Sequence, residues 1–284
     1  MHRRVMQNFE SMTDRRIGQN IKSNIWNINA TCKRSAKWLS ISNMKLKLVK
    51  KVDEAEGTKS FFWDVEKKIS YKPGQFIYLT LPKLNYPDDK GQTRHFTLSS
   101  SPTEKLLKIT TRIRQESGFK KTLAELAPGS DVEAEGPEGE FVLNEQASNL
   151  QVFLAGGIGI TPFRSMIKYV FDKHLSIPIQ LIYSNSIPEQ ITFKNELDSI
   201  AYESQNIKVD HTITKPEESK VPWKGITGRI DESLIQKLIT DNWQLTTVSF
   251  WLCGPPAMVE GVISVLSNLQ IPLKNVRFEK FTGY

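Results

Sequence analysis

The stretch QVFLAGGIGITPF, residues 151–163, decides the architecture. Gln151 to Ala155 reads as a strand covered on both faces. Three glycines follow, Gly156, Gly157 and Gly159, and then Thr161 and Pro162 open a helical pattern. A strand, a glycine turn and a helix in that order set unpaired helix-terminal N–H groups and a positive dipole end beside a backbone that no side chain shields. Such a turn suits a pyrophosphate. Thr161 can add a hydroxyl, and Pro162 fits the first helical turn. On these residues alone an ordinary strand-to-helix turn is the alternative.

Downstream, strands and helices alternate. IQLIYS (179–184), IKVDHTI (207–213) and TVSFWLCG (247–254) read as strands. Residues 162–171, 192–200, 231–239 and 257–269 read as helices, with Asp231 as the cap of the third. This rhythm predicts a parallel sheet with helical crossovers. Upstream the pattern is β. MKLKLVKKV (44–52) alternates, and SFFWDV (60–65), QFIYLTL (75–81), RHFTLSS (94–100), LLKITTRI (106–113) and DVEAEG (131–136) are short runs divided by Gly, Pro, Asp and Lys. Six such runs predict a small antiparallel barrel, interrupted by a helix over Lys120 to Leu126 that Pro128-Gly129 ends. The expected fold is therefore two-domain: an antiparallel β-barrel over 44–147, followed by an α/β parallel-sheet nucleotide-binding domain over 148–284.

Composition removes several classes of function. The chain has 284 residues and a formal charge of +7. Of its 38 basic and 31 acidic residues, residues 1–43 hold eight and two, which leaves 30 and 29 for the rest. The basic excess thus sits in a short segment, and a nucleic-acid-binding surface on the main body is not expected. Residues 1–43 show no sustained period. A disordered or atypical extension, an early start codon ahead of Met44, and an organellar transit segment are the three readings of it. No apolar run is long enough to span a membrane, and the cytoplasm is the expected location, with organellar targeting by residues 1–43 as the alternative. Two cysteines, Cys32 and Cys253, and four scattered histidines give no disulfide framework, no iron–sulfur cluster and no expected metal site.

Ligands of open parallel sheets bind at the carboxyl ends of the strands. The turn Gly157-x-Gly159 and the segment Cys253-Gly254-Pro255 both stand at such ends and should face one crevice. Cys253 is there either as a small buried hydrophobe or as a ligand contact. In RHFTLSS, Arg94, Phe96 and Leu98 share one strand face, and Thr97 and Ser99 the other. A guanidinium that clamps phosphate, with an aromatic one pleat away, suits a cofactor bearing both phosphate and rings. Gly118-Phe119-Lys120-Lys121-Thr122 begins the barrel-domain helix. Lysines conflict with the dipole there, and a bound polyphosphate would relieve the conflict.

These pieces, in this order, resemble the ferredoxin–NADP reductase superfamily over about residues 44–284. The family's flavin motif Arg-x-Tyr-Ser-x-x-Ser reads Arg94-His95-Phe96-Thr97-Leu98-Ser99-Ser100 here. Its nucleotide motif Gly-x-Gly-x-x-Pro reads Gly157-Ile158-Gly159-Ile160-Thr161-Pro162, and Cys-Gly-Pro reads Cys253-Gly254-Pro255. PGQF (73–76) and EGPEGEF (135–141) are also of the family's type.

The resemblance implies a flavin-dependent NAD(P)H oxidoreductase without its own iron–sulfur domain. Arg94 would bind a flavin phosphate, Phe96 pack on the isoalloxazine ring, Thr97 hydrogen-bond near N5, and Ser100 contact the cofactor. Gly118, Lys120, Lys121 and Thr122 would cradle a pyrophosphate, which favours FAD over FMN. Phe for Tyr at 96 keeps the stacking surface and loses one hydroxyl hydrogen bond. Gly157, Gly159, Thr161 and Pro162 would hold the NAD(P)H pyrophosphate, with Cys253, Gly254 and Pro255 beside the nicotinamide. In FEKFTGY, Glu279 matches the family's returning carboxylate, and Phe281 or Tyr284 its ring-shielding aromatic. Thr214-Lys215 stands where NADPH-selective relatives carry Ser-Arg, and Lys224 and Arg229 follow, so the choice between NADH and NADPH stays open. Electrons would leave singly to a separate carrier, such as a ferredoxin or an oxygenase or desaturase component. The alternatives are small acceptors (ferric chelates, free flavin, oxygen) or a flavin-binding module without turnover.

Overall fold

The computed structural model describes residues 42–67, 69–239 and 244–282. The readings placed on residues 1–43 and on Tyr284 therefore fall outside the described residues, apart from the start of the first strand.

Six strands build the first domain: β1 Ser42–Ala55, β2 Thr58–Val65, β3 Phe76–Thr80, β4 Thr93–Thr97, β5 Leu107–Arg112 and β6 Asp131–Glu138. They pair antiparallel in the order β4-β3-β6-β1-β2-β5. A bridge between Leu98 and Ile109 joins the two edges. The alternation read in β1 puts Met44, Leu46 and Leu48 inside, while Lys45 and Lys47 stay exposed. The barrel core gathers Leu46, Trp63, Ile77, Leu79 and Phe96 under Phe119 and Leu123 of helix α1, Gly118–Glu125.

The second domain begins with β7 Gln151–Gly156, all six residues of which are buried. Strands β8 Ile179–Asn185, β9 Ile207–Ile213, β10 Ile226–Thr227, β11 Ser249–Gly254 and β12 Val276–Lys280 complete a parallel sheet in the order β10-β9-β8-β7-β11-β12. Helices α2 Ile160–Asp172, α3 Lys194–Glu203, α4 Glu232–Ile239 and α5 Pro256–Asn268 make the connections. Asp231 caps α4, accepting from the Leu234 amide at 2.8 Å. Alternate residues of β7 feed two cores, Phe153 and Ala155 on one face and Val152 and Leu154 on the other. The strand order reverses between β7 and β11, which makes their carboxyl ends the switch-point crevice. Two strands, β10 and β12, were not expected from the sequence, and β12 carries the segment with Glu279.

Helix α2 is buried on nearly every side, because the barrel covers the face that the sheet leaves free. Arg164, on this helix, is 2% exposed. Its guanidinium donates to both oxygens of Glu104 from the barrel domain, to both oxygens of Glu196 on α3, and to the Ser99 carbonyl at 2.9 Å. Burial opposes ionisation of Glu104, but the guanidinium holds its carboxyl below the usual carboxylate range. The Ser165 hydroxyl donates to the Ser100 carbonyl at 2.6 Å. Arg164→Met strips both carboxylates of their partner inside this seam. The expected result is a loss of about 3 kcal/mol in urea unfolding, and a smaller loss for Glu196→Gln, whose side chain is 30% exposed.

Candidate functional site

The glycine turn is a close contact between two strand ends. Gly157 has φ +53°. A Cβ on Gly159 would stand 2.2 Å from the Cys253 carbonyl oxygen and 2.6 Å from the Gly254 nitrogen. A Cβ on Gly156 would stand 2.5 Å from the Met258 sulfur. The turn is pinned from outside by the Tyr183 hydroxyl, which donates to the Gly157 carbonyl at 2.9 Å. Thr161 is buried and donates to the Ile158 carbonyl at 3.2 Å, so its hydroxyl braces the turn from within; Pro162 is buried in the first turn of α2.

A cavity of about 380 Å³ opens over this turn, at the carboxyl ends of β7, β8 and β11. Gly156, Gly157, Pro255 and Met258 form its floor. Ser184, Asn185, Thr214 and Arg229 form one rim, and Arg112 of the barrel strand β5 reaches in from the other domain. Asn185 is 5% exposed, and neither polar atom of its side chain has a hydrogen-bond partner among the described residues. A bare glycine turn and two guanidinium groups form a donor set fitted to a phosphorylated nucleotide, with the Asn185 side-chain amide, one donor and one acceptor, buried beside it. Lys215 does not line the cavity. Its ammonium pairs with Glu218 at 2.8 Å, while Thr214 turns its hydroxyl toward the Asn185 carbonyl at 3.4 Å.

Behind the turn, Cys253 lies opposite Ala155 on one side and Glu279 on the other. Burial, with Glu279 adjacent, pushes the thiol well up, so Cys253 is a neutral packing group. Burial also pushes the Glu279 carboxyl up to about 7. The Phe281 amide donates to the Gly254 carbonyl at 2.9 Å, which keeps the chain beside β11, and the Phe281 ring packs on the adjoining core.

In the barrel domain Arg94 is 6% exposed. It donates to the carbonyls of Lys90, Gly91 and Thr93 at 2.6, 3.0 and 2.7 Å, pairs with Asp88, and lies 5.2 Å over the Phe119 ring. Phe96 sits one pleat away, tilted 5.9 Å from Phe119, and Thr97 is buried opposite Phe76. The Ser100 hydroxyl accepts from the Lys108 amide and bonds the Tyr71 hydroxyl, both at 2.9 Å, which commits it to the barrel's own framework. Ser117 caps α1, and its hydroxyl accepts the Lys120 amide. Lys120 is buried, and its ammonium is brought down to about 8 by burial first and then by Arg114. Lys121 lies 3.8 Å over the Tyr86 ring, and the Thr122 hydroxyl donates to the Gly118 carbonyl at 2.8 Å. The conflict between the lysines and the helix dipole is relieved here by a carboxylate, Asp88, which accepts the Phe119 amide at 2.9 Å. Arg94 and the amino end of α1 thus form a donor set that takes an anion, here the Asp88 carboxylate.

Family models match both halves, an oxidoreductase FAD-binding domain over residues 45–143 and an oxidoreductase NAD-binding domain over 153–263. The chain belongs to the ferredoxin–NADP reductase superfamily. FAD is the cofactor of the first domain, and a nicotinamide dinucleotide is the ligand of the second. The glycine betaine monooxygenase reductase subunit of Chromohalobacter salexigens is 26% identical over 240 residues, 83% of this chain and 63% of that one. Other curated relatives are likewise longer, with 58% and 52% of their length spanned. A cytochrome P450 reductase of Amycolatopsis shares the fold at TM-score 0.73 and 21% identity, over 86% of this chain and 71% of that one. A ferredoxin NADP+ reductase of Neisseria gonorrhoeae with bound FAD and NADP does so at 0.71 and 18%, over 86% and 100%. Among the described residues no helix is long and apolar enough to cross a membrane.

Sequence reasoning missed Arg112, Asn185, Met258 and Asp88. Arg112 ends a strand that the sequence pattern marks, but only the docking of the domains brings it to the cavity. For Glu279 a pH signature follows. A carboxyl raised from its ordinary value of 4.5 to about 7 binds more protons in the native state. Stability is therefore full below about 4.5 and falls as pH rises through 7. Glu279→Gln should remove that fall, about 3 kcal/mol across the window, read as melting temperature against pH.

Proposed function

We propose that this chain is an NAD(P)H-dependent flavoprotein reductase that passes electrons singly to a separate carrier protein. The observation that carries the reading is Arg112, a barrel-domain cation lining a cavity otherwise built by the α/β domain. A nucleotide held there lies on the seam between domains, within reach of a cofactor bound to the barrel. FAD supplies the redox chemistry when bound: it takes two electrons as a hydride from NAD(P)H and releases them one at a time.

The chain supplies position and electrostatics. Arg94 and the amides at the amino end of α1 hold the flavin phosphate, with Gly118, Lys120, Lys121 and Thr122 along the same helix. Phe96, packed on Phe119, backs the strand that faces the ring system, and Thr97 stands at its polar edge, while Ser100, bonded to Lys108 and Tyr71, holds the framework behind them. The turn from Gly157 to Thr161 and the start of α2 at Pro162 hold the nucleotide pyrophosphate. Cys253, neutral and fully buried behind the turn, backs Gly254 and Pro255, which stand beside the nicotinamide and fix its approach. Glu279 keeps a proton near neutral pH at the same strand level, and Phe281 covers that end of the crevice. A separate acceptor is supported by relatives whose names are those of a monooxygenase reductase subunit and a cytochrome P450 reductase.

Anaerobic titration of the yellow protein with NADH and NADPH, followed by ferredoxins, ferric chelates, free flavin and oxygen in stopped flow, tests the scheme. Rapid oxidation by a one-electron protein carrier supports it, and efficient turnover with small acceptors alone refutes the carrier step. Arg94→Ala should purify largely without flavin. Cys253→Ala should keep its flavin and be reduced about tenfold more slowly. Wild type that stays colourless after reconstitution would contradict both. Arg229→Ala should raise the KM for the nucleotide about tenfold with kcat held, and the larger loss, with NADPH or with NADH, identifies the preferred coenzyme.

A further inference from the structure

The loop of residues 81–92 between β3 and β4 lies along α1 as a strap. The Asn85 amide donates to the Thr122 hydroxyl at 2.9 Å, and its side chain donates to Glu125 at 3.0 Å. The Tyr86 hydroxyl bonds the same carboxylate. At the other end of the helix the loop presses on Gly118, where a Cβ would stand 2.2 Å from the Pro87 carbonyl oxygen and 2.5 Å from that of Tyr86. Between these anchors Asp88 points inward, its side chain 8% exposed. One carboxylate oxygen accepts from the Phe119 amide at 2.9 Å and the Ser117 hydroxyl at 3.1 Å. The other pairs with Arg94 and accepts the Lys90 amide at 3.1 Å.

The donors that Asp88 uses are those the proposed function gives to the flavin phosphate: an arginine and the N–H groups of a helix terminus. Two anions cannot share them, because like charges in a desolvated pocket repel strongly. We propose that Asp88 is a built-in stand-in for the flavin phosphate, and that the strap carrying it must withdraw before FAD can load. Cofactor binding is then an exchange of one anion for another, gated by residues 85–91. The inference rests on the reading that Arg94 and the amino end of α1 hold that phosphate. The pyrophosphate of FAD carries two charges and twice as many free acceptor oxygens as one carboxylate, so it displaces Asp88 once FAD is present. A different role, in which Asp88 merely orients Arg94 in the loaded protein, predicts the opposite sign for its removal.

The test is FAD titration of full-length apoprotein, followed by flavin fluorescence. Asp88→Asn preserves the shape of the side chain and removes the competing charge. It should lower the Kd for FAD about tenfold or more and speed association. Unchanged or weaker binding would overturn the gate. Arg94→Ala, run beside it, reports on the underlying reading: retention of full FAD affinity in that variant sinks the phosphate assignment itself, whereas loss of FAD with no gain from Asp88→Asn sinks the gate alone. Should Asp88→Asn fail to fold, hydrogen exchange of the wild type decides the matter. Amides of residues 85, 90 and 91 should lose protection when FAD is added while that of Phe119 keeps it, and unchanged protection at all of them overturns the proposal.

Discussion

A guanidinium held at 2% exposure between carboxylates from two domains constrains everything else in this molecule. Arg164 cannot leave its site without taking from Glu196 its guanidinium and leaving Glu104 only Lys108 at 3.8 Å and the Ser101 amide at 2.7 Å, and neither domain can shift without breaking one side of the fork. Such a network adds less net stability than its hydrogen bonds suggest, because the guanidinium has lost its water and both carboxylates have lost much of theirs. Its larger effect is geometric. Guanidinium forks tolerate little rotation, so the seam has one arrangement. The Ser165–Ser100 bond and the Arg112–Gln190 contact at 3.2 Å hold the same seam at other points. Hydride transfer is steep in distance and angle, and a rigid seam is the structural means of meeting that demand with two cofactor sites on separate domains.

The two places proposed to hold phosphates are built alike from unrelated parts. Each joins a glycine at or just before a helix amino end with an arginine from outside the helix: Gly118 with Arg94 at α1, and Gly157 with Arg112 at the turn before α2. They differ in their state. The cavity over the glycine turn is open, whereas Arg94 and the Phe119 amide at the barrel site are already matched by Asp88. An open site suits a substrate that comes and goes each turnover, and a matched one suits a cofactor that binds once.

Much of the fold was legible because its signals are local. The alternation of residues 44–52 and the unbroken run 151–155 each fix strand type and burial within one segment, and Asp231 caps its helix three residues away. The glycine turn was legible for the same reason: nothing but close backbone approach calls for Gly157-x-Gly159 between a buried strand and a helix. What escaped is non-local. VRFEK, residues 276–280, is a strand because the edge of β11 accepts it in parallel, and no flanking pattern announces that. Asp88 sits in Pro-Asp-Asp-Lys-Gly, which reads as a solvent-exposed turn, yet its main partner amide is 31 positions away. Arg164 looks like any helical arginine until the barrel closes over it. Lys215 was placed correctly at the end of β9, but Glu218, three residues on, draws its charge away from the cavity.

The contact between Gly159 and the Cys253 carbonyl also determines where this enzyme can diversify. No larger residue fits between those two backbones, so the turn is frozen in shape however the sequence drifts. Variation is left to the outer lip, where Ser184, Thr214 and Arg229 stand on separate segments and can be exchanged singly. Adaptation to another coenzyme, by selection or by engineering, is thereby channelled into a few rim positions while the floor beneath them is inherited intact.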